Sequence, residues 1–188
     1  MSHPQYLGPI FQHGYVVPDA EKAARQWAER MGVGPFYIID QKIDDYVYRG
    51  QPMPVELRIA MGYWGDVQIE LIQPLSGDGT FYHEALKSAP GALNHQAVLV
   101  SDIDRTIAEL DLSRFIIHTG SLPMIKFAYL ENYLPDGLTF ELIQADELAR
   151  LSFGGAAVIC RGWNGERPVR THADLAGDLA QLRDASRL

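Results

Sequence analysis

The pattern of hydrophobic and polar positions is repeated once along the chain. Each half has a strand-like run, an amphipathic stretch with helical spacing, and further strand-like runs, the last of which reads Glu-Leu-Ile-Gln. This tetrapeptide occupies residues 70–73 and again residues 141–144. A repeated supersecondary unit constrains the fold before any single residue is interpreted. We predict two β-α-β-β-β modules in tandem, at residues 10–74 and 92–145.

The helix of each module is predicted from its first residues. Asp19 in the first module, and Ser101 or Asp102 in the second, stand where the strand-like run ends, and a side-chain oxygen there can cap free backbone N–H groups. In the second module Ile103, Ile107 and Leu110 then recur at helical spacing. Strands outnumber helices and each module has one helix, so the predicted class is α+β. We expect the modules to form a curled mixed sheet around a central cleft.

The rest of the chain does not follow the repeat. Residues 75–91 are predicted to be a connector that contains a short helix, and residues 146–188 a C-terminal extension. In the extension, Ala156–Cys160 is strand-like and Asn164-Gly165 is a candidate hairpin turn. A helix is predicted from Thr171 onward, with its leucines on one face.

Composition excludes several classes of function. The chain of 188 residues is 47% hydrophobic and 21% charged, as in ordinary soluble proteins. Its net charge of −8 argues against a nucleic-acid or anionic-membrane partner, which would require a basic surface. Its single cysteine fits a reducing compartment. Because no signal peptide and no long apolar run is found, a cytoplasmic location is expected.

One histidine and one glutamate per module are the candidate chemistry. Glu70 and Glu141 lie on the polar face of their strands, opposite an apolar face that can pack under the helix. His13 and His95 lie in the first strands among apolar neighbours, where an unpartnered imidazole is costly to bury. Packing about a pseudo-twofold axis would bring all four together as nitrogen and oxygen ligands for a divalent metal. The alternative is two core histidines and two solvated glutamates.

With these strand-borne residues in paired modules, residues 10–145 resemble the vicinal oxygen chelate superfamily. That superfamily includes glyoxalase I, methylmalonyl-CoA epimerase, extradiol dioxygenases and bleomycin-resistance proteins. Gly34-Pro35-Phe36, residues 65–74 and residues 91–95 are most similar to its glyoxalase-like and epimerase branch. In that branch, the first strand of each module provides a His or Gln ligand and the last strand a Glu or Gln.

The resemblance implies one divalent metal ion (zinc, cobalt, nickel, manganese or iron) bound by His13, Glu70, His95 and Glu141. It implies a metal-dependent isomerase, epimerase or lyase that removes a proton next to a carbonyl of a small acyl thioester or thiol adduct. The metal would act as a Lewis acid that stabilises an enolate, and Glu141 or Glu70 would be the base. The expected partners are a small-molecule substrate and a second copy of the chain, with neither nucleic acid nor membrane.

Further residues are assigned to the site more loosely. Epimerases of this branch have an additional catalytic glutamate, for which Glu56 is the nearest candidate. His83 and His118 have no counterpart in the other module and are predicted to be structural. An arginine offers a fork for a carboxylate or phosphate. The predicted substrate-binding residues are Tyr15, Arg49, Arg58, Gln68 and Thr139.

Two other functions stay open. An iron-dependent extradiol dioxygenase uses two histidines and one glutamate, and Glu70 speaks against it because a fourth protein ligand would crowd the positions that oxygen and catechol need. A binding protein of the bleomycin-resistance kind would have a pocket shared by a dimer and no metal. Metal content would separate these functions.

Overall fold

The computed structural model describes residues 7–134 and 137–185. Over these residues, eleven strands form one mixed sheet in the order β11-β2-β5-β6-β1-β7-β10-β9-β8-β3-β4. In chain order the strands are β1 (Gln12–Val16), β2 (Phe36–Ile43), β3 (Val47–Tyr48), β4 (Gln51–Pro52), β5 (Val55–Trp64), β6 (Val67–Ser76), β7 (Leu93–Val100), β8 (Ile116–Leu122), β9 (Ile125–Leu130), β10 (Thr139–Ala145) and β11 (Val169–Thr171). The predicted α+β class with a curled mixed sheet is confirmed.

Five α-helices accompany the sheet in the described part of the chain. They are α1 (Ala20–Met31), α2 (Phe81–Ser88), α3 (Ile103–Glu109), α4 (Glu147–Arg161) and α5 (His172–Ala185), and a 3₁₀ turn spans Ser113–Phe115. Of the helices in residues 7–134 and 137–185, none has the length and hydropathy that a membrane crossing requires.

The two halves of the sheet are built alike. Each begins with a strand that pairs in parallel with the last strand of its own half, β1 with β6 and β7 with β10. The halves join where β1 and β7 run antiparallel. The short strands β3 and β4 depart from the repeat, because they come from the first half but extend the far edge of the second through β8. The sheet is therefore continuous from one module to the other.

Both module helices are fixed to the sheet in the same way. Asp19 and Asp102 are their N-caps, and each carboxylate accepts a hydrogen bond from the N–H three residues further on. The glutamines that end the two Glu-Leu-Ile-Gln segments, Gln73 and Gln144, accept another from the first residue of the helix, at 3.1 and 2.8 Å. The repeated tetrapeptide thus positions a helix as well as a glutamate.

The apolar faces of β6 and β10 pack under these helices, as predicted. Ile69 and Leu71 are buried with α1, and Phe140 and Leu142 with α3. Residues at alternate positions therefore face the opposite, concave side of the sheet, and Glu70 and Glu141 are among them.

The C-terminal extension differs from its prediction. Ala156–Cys160 is not a strand but the last part of α4, which begins at the N-cap Asp146. The helix is explained by Ala149 and Ala156, which are buried and lie seven residues apart on one helical face. A short run of apolar residues does not distinguish a strand from a buried helix.

The hairpin predicted at Asn164-Gly165 is also wrong. These residues connect α4 to β11 rather than two adjacent strands, and Asn164 Oδ1 accepts a hydrogen bond from the N–H of Glu166. The tail strand β11 pairs in parallel with β2. The predicted helix after Thr171 is confirmed as α5.

The two tail helices cover one end of the concave face. Ala156 of α4 and Leu175 of α5 are buried against Tyr37 and Tyr63 of the sheet. The hydroxyl of Tyr37 donates a hydrogen bond to Asp178 of α5 at 2.8 Å. A cavity remains between the sheet and these helices.

Candidate active site

The concave cavity has a volume of about 310 Å³. Its polar floor includes Gln12, Gln68, Glu70 and Glu141, and apolar side chains of the sheet form most of its wall. The remaining wall comes from α4, α5, Tyr82 of α2 and the turn between β8 and β9. The cavity therefore places the charged residues of both modules at the bottom of a largely apolar enclosure.

Four side chains converge at the floor, and we call them the donor cluster: Gln12, Glu70, His95 and Glu141. His95 is fully buried, and its Nε2 lies 3.2 Å from Glu141 Oε2 and 3.6 Å from Glu70 Oε2. Gln12 Oε1 lies 3.3 Å from the same nitrogen. Three oxygens from both modules thus surround one imidazole nitrogen.

The hydrogen bonding of Nδ1, the other ring nitrogen of His95, determines whether Nε2 carries a proton. His95 Nδ1 lies 3.0 Å from the carboxamide oxygen of Asn94, which can only accept a hydrogen bond. In the neutral imidazole the proton is therefore on Nδ1. The Nε2 lone pair then faces the oxygens of Gln12, Glu70 and Glu141, which are also acceptors when the carboxylates are ionised. Glu141 Oε2 is buried and has no hydrogen-bond partner among the described residues. A cation between these atoms would satisfy all of them.

Burial changes the proton affinity of the cluster. Burial raises the pKa of Glu70 to about 7, with the nearby Glu141 charge adding to the effect. It raises the pKa of Glu141 well above the usual value and lowers that of His95 to about 4. In each case desolvation disfavours the charged form. Without a cation, the two carboxylates are held in an environment that resists their ionisation.

Gly14 provides the space for the central imidazole. It lies opposite Glu70 on β6 and His95 on β7, at an irregularity in the β1–β7 ladder. A Cβ atom built on Gly14 would overlap the ring of His95. The glycine of the first strand is therefore a packing requirement of the site.

His13 is not part of the donor cluster, which corrects the predicted ligand set. It lies opposite Ile69 and Gln96, on the face of the sheet that packs against α1. There it is half-buried, and Gln96 Nε2 donates a hydrogen bond to its Nε2 at 3.1 Å. A shift of one residue along a strand reverses the face, so Gln12 occupies the place expected for His13.

The sequence contains a signal for Gln12. His95 precedes the N-cap Asp102 by seven residues, and Gln12 precedes the N-cap Asp19 by the same seven. Aligning the modules on their capping aspartates pairs Gln12 with His95, whereas aligning them on histidines shifts β1 by one residue.

Two of the predicted substrate-binding residues lie at the cluster. Gln68 lines the cavity, accepts a hydrogen bond from Gln12 at 2.7 Å and donates one to the Tyr63 hydroxyl at 2.8 Å. Thr139 is buried opposite His95 in the β7–β10 ladder. The first fixes the orientation of the Gln12 carboxamide.

The other predicted residues point elsewhere. Tyr15 packs against Trp27 of α1, with ring centroids 5.3 Å apart. Arg58 forms a bidentate pair with Asp40 at 2.7 and 2.8 Å, on the opposite face from the cavity-lining residues of β5.

Arg49 and Glu56 also lie outside the cavity. Arg49 is half-exposed beside Tyr48 and 3.6 Å from Glu84, in a separate depression. Glu56 is exposed, in register with Lys42 and Ser76, while Leu57 on the next position faces the cavity. The structure therefore gives Glu56 no place in the site.

Sequence reasoning missed Tyr129. Its hydroxyl lies 3.4 Å from His95 Nε2, and it is in register with Glu141 across the β9–β10 ladder. His118 stacks on its other side at 3.9 Å, fully buried and without a hydrogen-bond partner among the described residues. His118 is thus packed among aromatic rings, and only the register of the sheet reveals Tyr129.

A divalent cation in the donor cluster would have the carboxamide oxygen of Gln12 as a fourth donor beside Glu70, His95 and Glu141. Within residues 7–134 and 137–185, no group of three or more His, Cys, Asp and Glu side chains is arranged to hold a metal ion by itself. A carboxamide oxygen is an accepted ligand for hard cations. Ligands about 2.1 Å from an ion lie roughly 3.0 to 3.4 Å from one another, which is close to the separations around His95 Nε2.

Comparison with known proteins identifies the class. Residues 11–122 match the Glyoxalase/Bleomycin resistance protein/Dioxygenase superfamily. Because this match covers more than half of the chain, the protein belongs to that superfamily, and the resemblance drawn from the sequence is confirmed. No curated protein matches the sequence.

Solved structures agree on the fold. A Streptomyces coelicolor methylmalonyl-CoA epimerase variant in complex with 2-nitronate-propionyl-CoA is 16% identical, with a TM-score of 0.57 over 76% of this chain and 97% of that one. The Mycobacterium tuberculosis methylmalonyl-CoA epimerase is 19% identical, with a TM-score of 0.53 over 75% and 91%. A hypothetical protein from Bacillus halodurans is 16% identical, with a TM-score of 0.53 over 74% and 95%.

Proposed function

We propose that the protein is a metal-dependent isomerase or lyase that moves a proton next to a carbonyl group of a small substrate. The observation that carries this proposal is the convergence of three oxygens on His95 Nε2, with the buried Glu141 Oε2 lacking a hydrogen-bond partner among the described residues. Two buried carboxylates without a cation are costly. Gln12, Glu70, His95 and Glu141 would hold the ion.

Bound there, a divalent ion supplies Lewis-acid stabilisation of negative charge on a substrate oxygen. Glu70 is the residue that we assign as the proton acceptor. Its side chain is 14% exposed compared with 6% for Glu141, and it lies further from His95 Nε2. Glu141, deeper in the floor, serves to hold the ion.

The hydroxyl of Tyr129 is a hydrogen-bond donor at the same site. Burial raises the pKa of its phenol well above the usual value, so it keeps its proton at neutral pH. Its hydroxyl reaches the region between His95 and Glu141. It can donate a hydrogen bond to an oxygen held there.

The alternative enzyme function loses support. A dioxygenase site with two imidazoles and one carboxylate is not assembled, because His95 is the one histidine in the donor cluster and His13 faces the other side of the sheet. A metal-free binding protein has no need for two carboxylates of raised pKa at the floor of its cavity. The metalloenzyme proposal explains both residues.

The metal is tested first. Untagged protein is incubated separately with zinc, cobalt, nickel, manganese and iron, dialysed, and analysed for metal per chain. We expect one equivalent of at least one ion. If none is retained, the proposal of a metal site is removed and the binding protein is favoured.

The proton transfer is tested by proton–deuterium exchange at the carbon next to the carbonyl in candidate acyl thioesters and thiol adducts. Glu70→Gln should slow exchange by roughly 100-fold or more, since a positioned base contributes about 10² to 10⁴. Glu56→Gln is the matched control, because Glu56 is exposed and faces away from the cavity. Equal exchange rates in the two variants would remove the role assigned to Glu70.

We also propose the homodimer that the resemblance implies. Leu148, Leu151 and Val158 of α4 are exposed and recur at helical spacing, which gives a second copy an apolar surface to bury. Sedimentation of the wild type and of Leu151→Glu tests this. A wild type that sediments as a monomer would contradict it.

A further inference from the structure

The resemblance to the superfamily implies a substrate that offers two neighbouring oxygens to the metal. We propose that the remainder of this substrate is compact, uncharged and apolar, and that Phe153 of the C-terminal extension limits its length. The oxygen end rests on the function proposed above. The apolar end rests on the walls of the cavity and does not depend on a metal.

The walls of the cavity above its floor are almost entirely apolar. The sheet contributes Ile39, Ile43, Leu57, Ile59 and Ile143, and Phe153 and Leu175 close the opposite side from α4 and α5. Among the described residues that line the cavity there is neither a lysine nor an arginine. Polar side chains above the floor are few, namely Gln41, Ser152 and His172, so apolar parts of a ligand have partners over most of the wall.

The acidic side chains of the cavity further disfavour a negatively charged group on the substrate. The two acidic side chains lining the cavity, Glu70 and Glu141, both belong to the donor cluster. A carboxylate or phosphate placed away from the cluster would lose hydration, meet neither a lysine nor an arginine, and approach two carboxylates. Arg49 and Arg58, predicted to bind such a group, point out of the cavity. A substrate with a second negative charge is thus disfavoured.

The size of the cavity sets the upper limit. A volume of about 310 Å³ lies at the lower end of the roughly 300 to 1,000 Å³ of ligand pockets. Phe153 closes it, held by Phe11 at a centroid separation of 5.3 Å and packed against the cluster formed by Ala97, Ile143 and Ala149. Because Phe153 is supported from behind, the wall that it forms cannot easily retreat.

Straight-chain alkyl hydroxamates test both ends of this substrate. Each presents two neighbouring oxygens and a single apolar chain, and calorimetry of the metal-loaded protein gives Kd along a series from two to ten carbons. We expect affinity to rise about fourfold per methylene, the equivalent of about 0.8 kcal/mol, and to stop rising at one length. A hydroxamate with a carboxylate at the chain end should bind at least tenfold more weakly than its methyl-ended counterpart.

In Phe153→Ala, the chain length at which affinity stops rising should be longer than in the wild type. In Phe153→Leu this break should move less. Glu147→Ala is the control on the same helix, since Glu147 is exposed and does not line the cavity. Thermal unfolding establishes that each variant is folded. An unchanged break in both Phe153 variants would overturn the role of Phe153.

The matching carboxamides, which lack the second oxygen, separate this inference from the proposed function. If carboxamide affinity rises with chain length but hydroxamates bind no better with metal than without it, the apolar cavity is supported and the metal site fails. If hydroxamates bind through the metal with no dependence on chain length, or the carboxylate-ended chain binds equally well, the inference is overturned and the metal site stands.

Discussion

Strands β1 and β7 contain the same two residue types in opposite order and use them differently. β1 has Gln12-His13 and β7 has His95-Gln96, and the side chain of each histidine lies beside that of the other strand's glutamine. Gln12 and His95 meet on the concave face, at 3.3 Å, while His13 and Gln96 meet on the α1 face, at 3.1 Å. The molecule thus has an inner and an outer histidine–glutamine pair.

The difference lies in what surrounds each pair. The inner pair is enclosed by Glu70 and Glu141, which come from the last strand of each module. The outer pair lies beside Ile69 and other apolar residues that pack under α1. A histidine on a strand therefore becomes a candidate ligand only when the neighbouring strands place carboxylates on the same face.

Replacing the two histidines should give the largest contrast. His95→Ala removes the nitrogen on which the donor cluster converges, so we expect metal affinity to fall by roughly 100-fold or more, beyond the roughly 10- to 100-fold typical of outer-shell changes. His13→Ala should change it by less than about twofold. Competition titrations with a chromophoric chelator measure both.

Comparable losses in the two variants would show that the outer pair takes part in metal binding. Such a result would contradict the assignment of β1 to the register seen here. Circular dichroism of both variants controls for loss of fold.

Much of this comparison could be predicted from the sequence, because the repeat determines it. The tetrapeptide at residues 70–73 and 141–144 places a glutamate opposite an apolar helix-packing face in each module, and His95 shares the face of Glu141. These inferences use only the alternation of side chains along a strand. They fail when the register of a strand is misplaced by one residue, which is the difference between Gln12 and His13 in β1.

Other features depend on contacts between distant segments. The pairing of β3 with β8 and of Tyr129 with Glu141 follows from sheet register, which the local pattern does not contain. The place of Phe153 in the cavity wall follows from how α4 crosses the concave face. Since neither the order of strands nor the docking of α4 is written in hydrophobic periodicity, sequence reasoning did not find these residues.

Replacing the two glutamines of the pairs should give a smaller contrast of the same sign. Gln12→Ala removes one of three oxygens around His95 Nε2 and the partner of Gln68, so metal affinity should fall by roughly 10- to 100-fold. Gln96→Ala removes only the outer hydrogen bond to His13 and should leave metal affinity within about twofold. The same titration measures both, and a larger effect from Gln96→Ala would contradict the inner and outer assignment.

The smallest expected effect is on stability, and it concerns the glutamine that attaches the helix to the sheet in each module. Gln73 and Gln144 each accept a hydrogen bond from the first N–H of their module's helix, so Gln73→Ala and Gln144→Ala should each lower the free energy of unfolding by about 1 kcal/mol. Urea denaturation should show losses equal within about 0.5 kcal/mol, adding in the double variant because the helices are in separate modules. Gln51→Ala on the exposed strand β4 is the control, with an expected change below about 0.5 kcal/mol. A loss confined to one module would mean that only one of the two glutamines stabilises its helix. The two modules would then not be equivalent in how their helices are attached to the sheet.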